Sequence, residues 1–229
     1  FSCLAHVLAG LVASEPTQVK PLVTQFVADS ESSALSTKLL ALYSLGEIGR
    51  RVDVSTTGCD VKTALLSNLE SPIEDAKAAA ALALGGIAIG NLSKFLPEIL
   101  AEVEKSPKSK YLLLSSVREL IVAQAKTTEG VAHLKPFFQP LSDLLSSHTK
   151  SEEEGIRNIV AECWGKLALT SPNEVFAVFV QRAADSNVHT RATVVAALKY
   201  AITSDATAHP EIDILLSQHI GKFFDLLKD

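Results

Sequence analysis

Six histidines and three cysteines are the side chains in this sequence best suited to act as nucleophiles, general bases or metal ligands. His6, His133, His148, His189, His209 and His219 are scattered, with no HExxH pair and no link to a cysteine that would hold zinc. Cys3, Cys59 and Cys163 are far apart and in no CxxC, which reads as three reduced thiols in the cytosol or nucleus, each expected to be a small buried hydrophobe. Gly85-Gly86 with Gly90 resembles a phosphate loop, but no strand precedes it and no Lys-Ser/Thr follows, so close helix packing explains it better. Glu152-Glu153-Glu154 is a dock for a basic partner or, more simply, the start of a helix, where carboxylates face the positive end of the macrodipole. The residues therefore supply no catalytic group, no metal site and no cofactor-binding site. The chain reads as a non-enzyme with no small-molecule substrate.

The formal charge is −5 and the pI about 5.7, so the chain offers no basic stripe for nucleic acid and no polybasic segment for an anionic membrane. A protein partner is expected. The longest charge-free stretch, Ala78 to Ser93, is shorter than the roughly 20 apolar residues a spanning helix needs and contains several glycines, which makes it a core helix. Aromatics are only 6% of a chain that is 47% apolar, which favours helices packed through small side chains over a β-sandwich. Phe1 is not an initiator methionine and no signal-peptide pattern follows it. The chain reads as cut from the interior of a longer array.

That array is visible as a repeat. Five segments align on Lys38, Lys77, Lys110, Arg157 and Arg191 without gaps. Seven and eight residues on come Leu45-Gly46, Leu84-Gly85, Val117-Arg118, Trp164-Gly165 and Leu198-Lys199, and at +10 Ile48, Ile87, Leu120, Leu167 and Ala201. Offsets +3, +4 and +11 are also apolar or Gly and share one side of a 3.6-residue helix with +7 and +10, so each segment is an amphipathic B helix with the same stripe to bury. A sixth, weaker copy lies on Ala9-Gly10, where His6 breaks the apolar pattern at +4.

Shorter amphipathic A helices alternate with these, over Thr17–Ala28, Val61–Glu70, Leu92–Lys105, Leu134–Ser147, Asn173–Ala184 and Glu211–Leu227. The total is about twelve helices in six pairs. Ser71-Pro72-Ile73-Glu74, Ser171-Pro172-Asn173-Glu174 and Ser151 through Glu154 predict capping boxes, the first two with Pro at the first helical position. The polar stretch Gln124 to Gly130 is the expected site of the extra length in the longest repeat. A basic residue eight before a Leu-Gly-like pair, in two-helix units of about 40 residues, is the HEAT pattern; the Trp, Tyr and Pro markers of tetratricopeptides are missing. The fold predicted is an all-α solenoid of HEAT repeats, a single segment over 1–229 with no second domain, its apolar end helices inviting further repeats.

A solenoid recognises partners on its concave side, lined by B helices. Offsets +2, +5, +6, +9 and +12, opposite the buried stripe, give Tyr43, Glu47, Arg50, Ser115, Glu119, Glu162, Lys166 and Tyr200 as candidate partner-binding residues. The Lys/Arg ladder at offset zero faces the core and is expected to anchor loops or acidic groups of the adjacent repeat.

The runs SLGEIGRRVD (44–53), SPIEDAKAAAALALGGIAIGNLSKFLP (71–97), KYLLLSSVREL (110–120), SEEEGIRNIVAECWGKLAL (151–169) and TRATVVAALKY (190–200) resemble the cullin-associated, neddylation-dissociated (CAND) family, its plant-like members above all. The resemblance implies a long HEAT solenoid that wraps an unmodified cullin with its RING subunit and promotes exchange of substrate receptors on cullin-RING ubiquitin ligases. It places this chain shortly before the family's C-terminal end. The family's adaptor-competing β-hairpin is expected after Asp229. Trp164 departs from the Leu expected in an AECLGK-like run. Periodicity alone would equally serve a nuclear transport receptor or a phosphatase scaffold; only these runs separate them.

Overall fold

A computed structural model describes residues 1–203 and 210–225. The described residues are helical throughout apart from turns, and they fall into two compact units, Phe1–Leu120 and Ile121–Asp229, each of which stacks helix pairs in chain order as HEAT-type repeats.

The first unit contains α1 (Ser2–Ser14), α2 (Val19–Asp29), α3 (Leu35–Gly49), α4 (Val61–Asn68), α5 (Glu74–Gly90), α6 (Leu92–Lys105) and most of α7 (Lys110–Gln124). The B helices α1, α3 and α5 lie side by side, with α2 and α4 packed behind α3 and α5. The B helices can approach closely because the repeat places small residues on their shared faces. A Cβ built at Gly46 would stand 2.7 Å from the Cα of Ala83, and one built at Gly86 would collide with the carbonyl oxygen of Gly46. The glycines that resemble a phosphate loop are thus the contact between α3 and α5. The predicted stripe is buried as the register requires: Leu45, Leu84 and Val117 are fully enclosed.

The second unit contains the end of α7, then α8 (Thr128–Leu134), α9 (Phe138–His148), α10 (Glu154–Leu167), α11 (Pro172–Ala183), α12 (Val188–Thr203) and α13 (Pro210–Asp225). The extra length expected near Gln124–Gly130 is spent on α8, whose first free N–H groups are served by Thr127, its side chain accepting from the Gly130 N–H at 3.0 Å. The predicted helix Leu134–Ser147 is therefore two pieces, broken where Pro136, with no N–H to give, sits in a 3₁₀ turn over Lys135–Phe137. Trp164 and Leu198 are buried like their counterparts in the first unit, and Trp164 meets Phe179 edge-on with ring centroids 6.0 Å apart. The larger ring at the Leu position fills space between α10 and α11.

Several local expectations change. Ser71 and Ser151 do not form capping boxes; each accepts the N–H two residues on, from Ile73 and Glu153, and the helices start only at Glu74 and Glu154. Ser32 does the same for Ala34, and Asp185 for Asn187, so one turn device precedes four B helices. Pro172 does occupy the first position of α11, but Ser171 makes no side-chain cap. In the basic ladder, Arg157 donates to the carbonyls of Ser151 and Glu152, and Arg191 to those of Asp185 and Ser186, so both fasten the bend of their own pair. Lys38 reaches the next pair, at Asn68 of α4, while Lys77 pairs with Glu74.

Of the thiols, Cys163 alone is buried, whereas Cys59 is half-buried and Cys3 exposed. Val195 and Ile202, at offsets expected to be covered, are 42% and 40% exposed, because among the described residues no helix lies on that side of α12. Phe1, Leu4, Val7 and Leu11 form a similar exposed stripe on α1, and on α13 Phe224 is exposed while Phe223 is buried; Leu226 and Leu227 lie outside the described residues. Among the described residues no helix is long and apolar enough to cross a membrane.

The start of α4 allows a direct test of a cap. Asp60 accepts from the Thr63 N–H at 3.1 Å, and hydrogen bonds from Thr63 hold its carboxyl below the usual range despite some burial. A carboxyl with a lowered folded pKa stabilises the fold above the ordinary aspartate range, and that contribution is lost as pH falls through the folded value. Asp60→Ala should cost about 1 kcal/mol at neutral pH, and the gap to the unsubstituted chain should close on acidification. Paired thermal melts across that range measure both effects.

Candidate protein-binding surface

The predicted recognition row is half-buried throughout, in both units. The cause is the packing register. The +9 residue of one B helix rests on the +8 position of the B helix before it: Glu119 lies over Gly85 and Tyr200 over Gly165, so tightly that a Cβ at Gly165 would collide with that of Tyr200. At +6, Ser44, Ala83, Ser116, Cys163 and Ala197 are buried outright. Only part of the face opposite the stripe reaches solvent.

In the first unit this seam creates a polar network. Arg50, the residue just after α3, donates from Nε to Glu47 at 3.2 Å and from Nη2 to Glu119 on α7 at 2.9 Å, past α5, whose glycines present no side chain there. The other oxygen of Glu47 lies 3.4 Å from Arg51 Nη1 and 3.1 Å from His6 Nδ1 on α1. Arg51 Nη2 in turn stands 3.1 Å from His6 Nε2 and 3.3 Å from its Nδ1. Tyr43, Glu47, Arg50 and Glu119 then rim a cleft of about 190 Å³ floored by Gly46, Leu82 and Ala83. A small apolar floor under a fixed polar rim and a tyrosine is suited to receiving a side chain from another protein. It has no paired nucleophile and base.

The structure thus brings four of the eight predicted residues into one cleft. Ser115 is on α7 and donates to its own helix, at the Tyr111 carbonyl. Glu162 and Lys166 on α10 and Tyr200 on α12 belong to the second unit.

No family model matches the chain. Cullin-associated NEDD8-dissociated protein 1 of Arabidopsis thaliana is 38% identical over 209 residues, which is 91% of this chain and 17% of the relative. Cullin-associated NEDD8-dissociated protein 2 of Mus musculus is likewise 38% identical, over 231 residues covering 100% of this chain and 18% of the relative. A third match, from Emericella nidulans, is named cullin-associated NEDD8-dissociated protein 1, C-terminal part; it is 34% identical over 165 residues, 72% of this chain and 15% of its own length. The chain belongs to the cullin-associated NEDD8-dissociated family.

This CAND-family chain spans less than a fifth of the length of the curated relatives it matches. The runs that carry the resemblance coincide with its B-helix seams: SLGEIGRRVD holds Gly46, Glu47, Arg50 and Arg51, and the run from 71 to 97 holds α5. Sequence reasoning missed His6 and Arg51 as members of the network. His6 had left a signal, since it is the polar break at +4 in the first copy, and Arg51 stands four residues after Glu47, within reach of it just past the end of α3. Among the described residues no three His, Cys, Asp or Glu side chains group as metal ligands.

Proposed function

We propose that this segment is a non-enzymatic scaffold that binds an unmodified cullin with its RING subunit, within a factor that exchanges substrate receptors on cullin-RING ubiquitin ligases in the cytosol or nucleus. The observation that carries the proposal is identity across nearly the whole chain to relatives named for cullin association. The cleft rimmed by Tyr43, Glu47, Arg50 and Glu119 supports it as a place where a partner side chain docks, and Lys166 and Tyr200 are the corresponding candidates in the second unit. A transport receptor or phosphatase scaffold is not favoured, because the relatives carry cullin-associated names.

The test is a chimera in which this chain replaces the matching segment of the Arabidopsis relative, titrated with unmodified cullin–RING. Tyr43→Ala should weaken binding by about 1–2 kcal/mol if the ring anchors a contact. Lys166→Glu should cost roughly 0.5–1 kcal/mol with a marked salt dependence, as expected for a partly exposed charge. Glu47 is a poor choice, since reversing its charge would set a lysine against Arg50 and Arg51. A chimera that folds but does not bind the cullin would refute the proposal, and full affinity in both variants would remove these residues from the interface.

A further inference from the structure

We propose that Ser151, at the bend between α9 and α10, is phosphorylated by a serine/threonine kinase that reads acidic residues on the C-terminal side of its target. The sequence there is Ser151-Glu152-Glu153-Glu154. Glu154 begins α10 and Glu153 is its N-cap residue, so the helix macrodipole accounts for those two acids. It does not account for Glu152, whose side chain is 92% exposed and touches the protein at His189, 3.6 Å away. All three glutamates are exposed, Ser151 is half-buried, and Glu153 is extended at φ −75° and ψ 113°. The run therefore offers a kinase a short non-helical stretch with acids at the first three positions after the hydroxyl. In the transfer Ser151 Oγ attacks the γ-phosphorus of Mg-ATP, its proton passes to the base of the kinase, and the bond from that phosphorus to the bridging oxygen breaks to release ADP.

The repeat shows why this serine and not its counterparts. Ser32, Ser71, Ser151 and Asp185 each stand six residues before a basic residue of the ladder and accept the N–H two residues on. Ser71 is buried and followed by Pro72, and Ser32 has no acid among the three residues after it. Asp185 shows that the bend holds an anion at this place. Its carboxylate accepts the Asn187 N–H at 2.9 Å, which keeps the carboxyl below the usual range, and Arg191 holds the carbonyls of Asp185 and Ser186 at 2.9 and 3.1 Å. In the preceding pair Ser151 Oγ accepts the Glu153 N–H at 3.2 Å, and Arg157 holds the carbonyls of Ser151 and Glu152 at 2.7 and 2.9 Å. A phosphate on Ser151 thus takes the position that a carboxylate fills one pair later. Arg157 has no ion pair among the described residues, so its guanidinium is open to a charge-assisted bond from the phosphate. The glutamates oppose the added charge, but their exposed side chains turn to water, where such repulsion is screened.

The experiment incubates the folded whole chain with Mg-ATP and the catalytic subunit of casein kinase II, an acid-directed enzyme, and locates the phosphate by tandem mass spectrometry. Phosphate is expected on Ser151 and is lost in Ser151→Ala. Glu154→Gln, which removes the acid three residues on, should slow incorporation at Ser151 about tenfold. Protein kinase A, which reads basic residues, should leave Ser151 unmodified. Ser151→Asp, which copies the carboxylate of the following pair, should melt no lower than the parent. The proposal is overturned if Ser151 of the folded chain stays unmodified, if Glu154→Gln is modified as fast as the parent, if protein kinase A modifies Ser151 equally well, or if Ser151→Asp melts clearly below the parent.

Discussion

Replacing Leu84 with alanine is expected to cost about 2–5 kcal/mol, the range for a truncated core leucine whose surroundings cannot close the space. Leu84 is fully enclosed in the middle of α5, which lies against α3 on one side and α4 behind. The neighbouring positions are already alanine and glycine, Ala80, Ala81, Gly85 and Ala88, so nothing close by can swing in to fill the gap. In a stack of repeats the loss is felt by the pair and its immediate neighbours, because stability is close to a sum of local terms. Chemical denaturation of the variant, with hydrogen exchange followed across α3 and α5, measures it. A loss under about 0.5 kcal/mol would mean that the register aligning Leu45, Leu84, Trp164 and Leu198 is wrong.

The second large effect is a change of sign between two glycines. Alanine is preferred to glycine inside a helix by about 1 kcal/mol, so Gly→Ala in open surroundings stabilises. Gly10 of α1 is such a case: a Cβ there would meet nothing within 4 Å. At Gly86 the same methyl collides with the backbone carbonyl of Gly46. A backbone atom cannot rotate aside as a side chain can, so α3 and α5 must part, and overpacking of this kind costs about 1–3 kcal/mol. Gly86→Ala should therefore melt clearly below the parent while Gly10→Ala melts at or above it. If the two behaved alike, close backbone contact would not be what holds α3 to α5.

Why the register was readable and the surface was not has one physical origin. Apolar side chains at +7 and +10 point to the centre of a helix pair, so periodicity locates them whatever lies beyond, and Leu45, Leu84, Trp164 and Leu198 are all buried. The helix flanks are different, because they are covered only where another B helix stands. Leu42 and Ala81 at +4 are buried, while Val195 at the same offset is exposed, and no pattern within α12 distinguishes it. Charge misled in the opposite direction. Glu119 looks like a surface residue, yet it sits over Gly85, and only the absent side chain of that glycine makes room for it. Ser71 and Ser151 match a capping box letter for letter, but Ile73 and Glu153 are extended, which delays each helix and turns the serine into a turn residue. The Glu47–Arg50 contact was accessible as a one-turn spacing; the links to His6 and Glu119 required knowing which helices are neighbours.

Arg157 and Arg191 hold the bend between their two helices by bonding to carbonyls only five and six residues behind them. These particular bonds are therefore written within one stretch of sequence, although the start of α12 also leans on the preceding pair, through Thr190 and Thr193 at Thr149. Duplicating the stretch that encodes α9–α10 or α11–α12 would carry the loop geometry along with the helices, so such an array can lengthen by tandem duplication without having to evolve a new connection each time. In the α2–α3 pair, by contrast, the basic residue itself looks forward: Lys38 bonds to Asn68 of its successor, and a copy of the pair inserted elsewhere would arrive with that bond unmade.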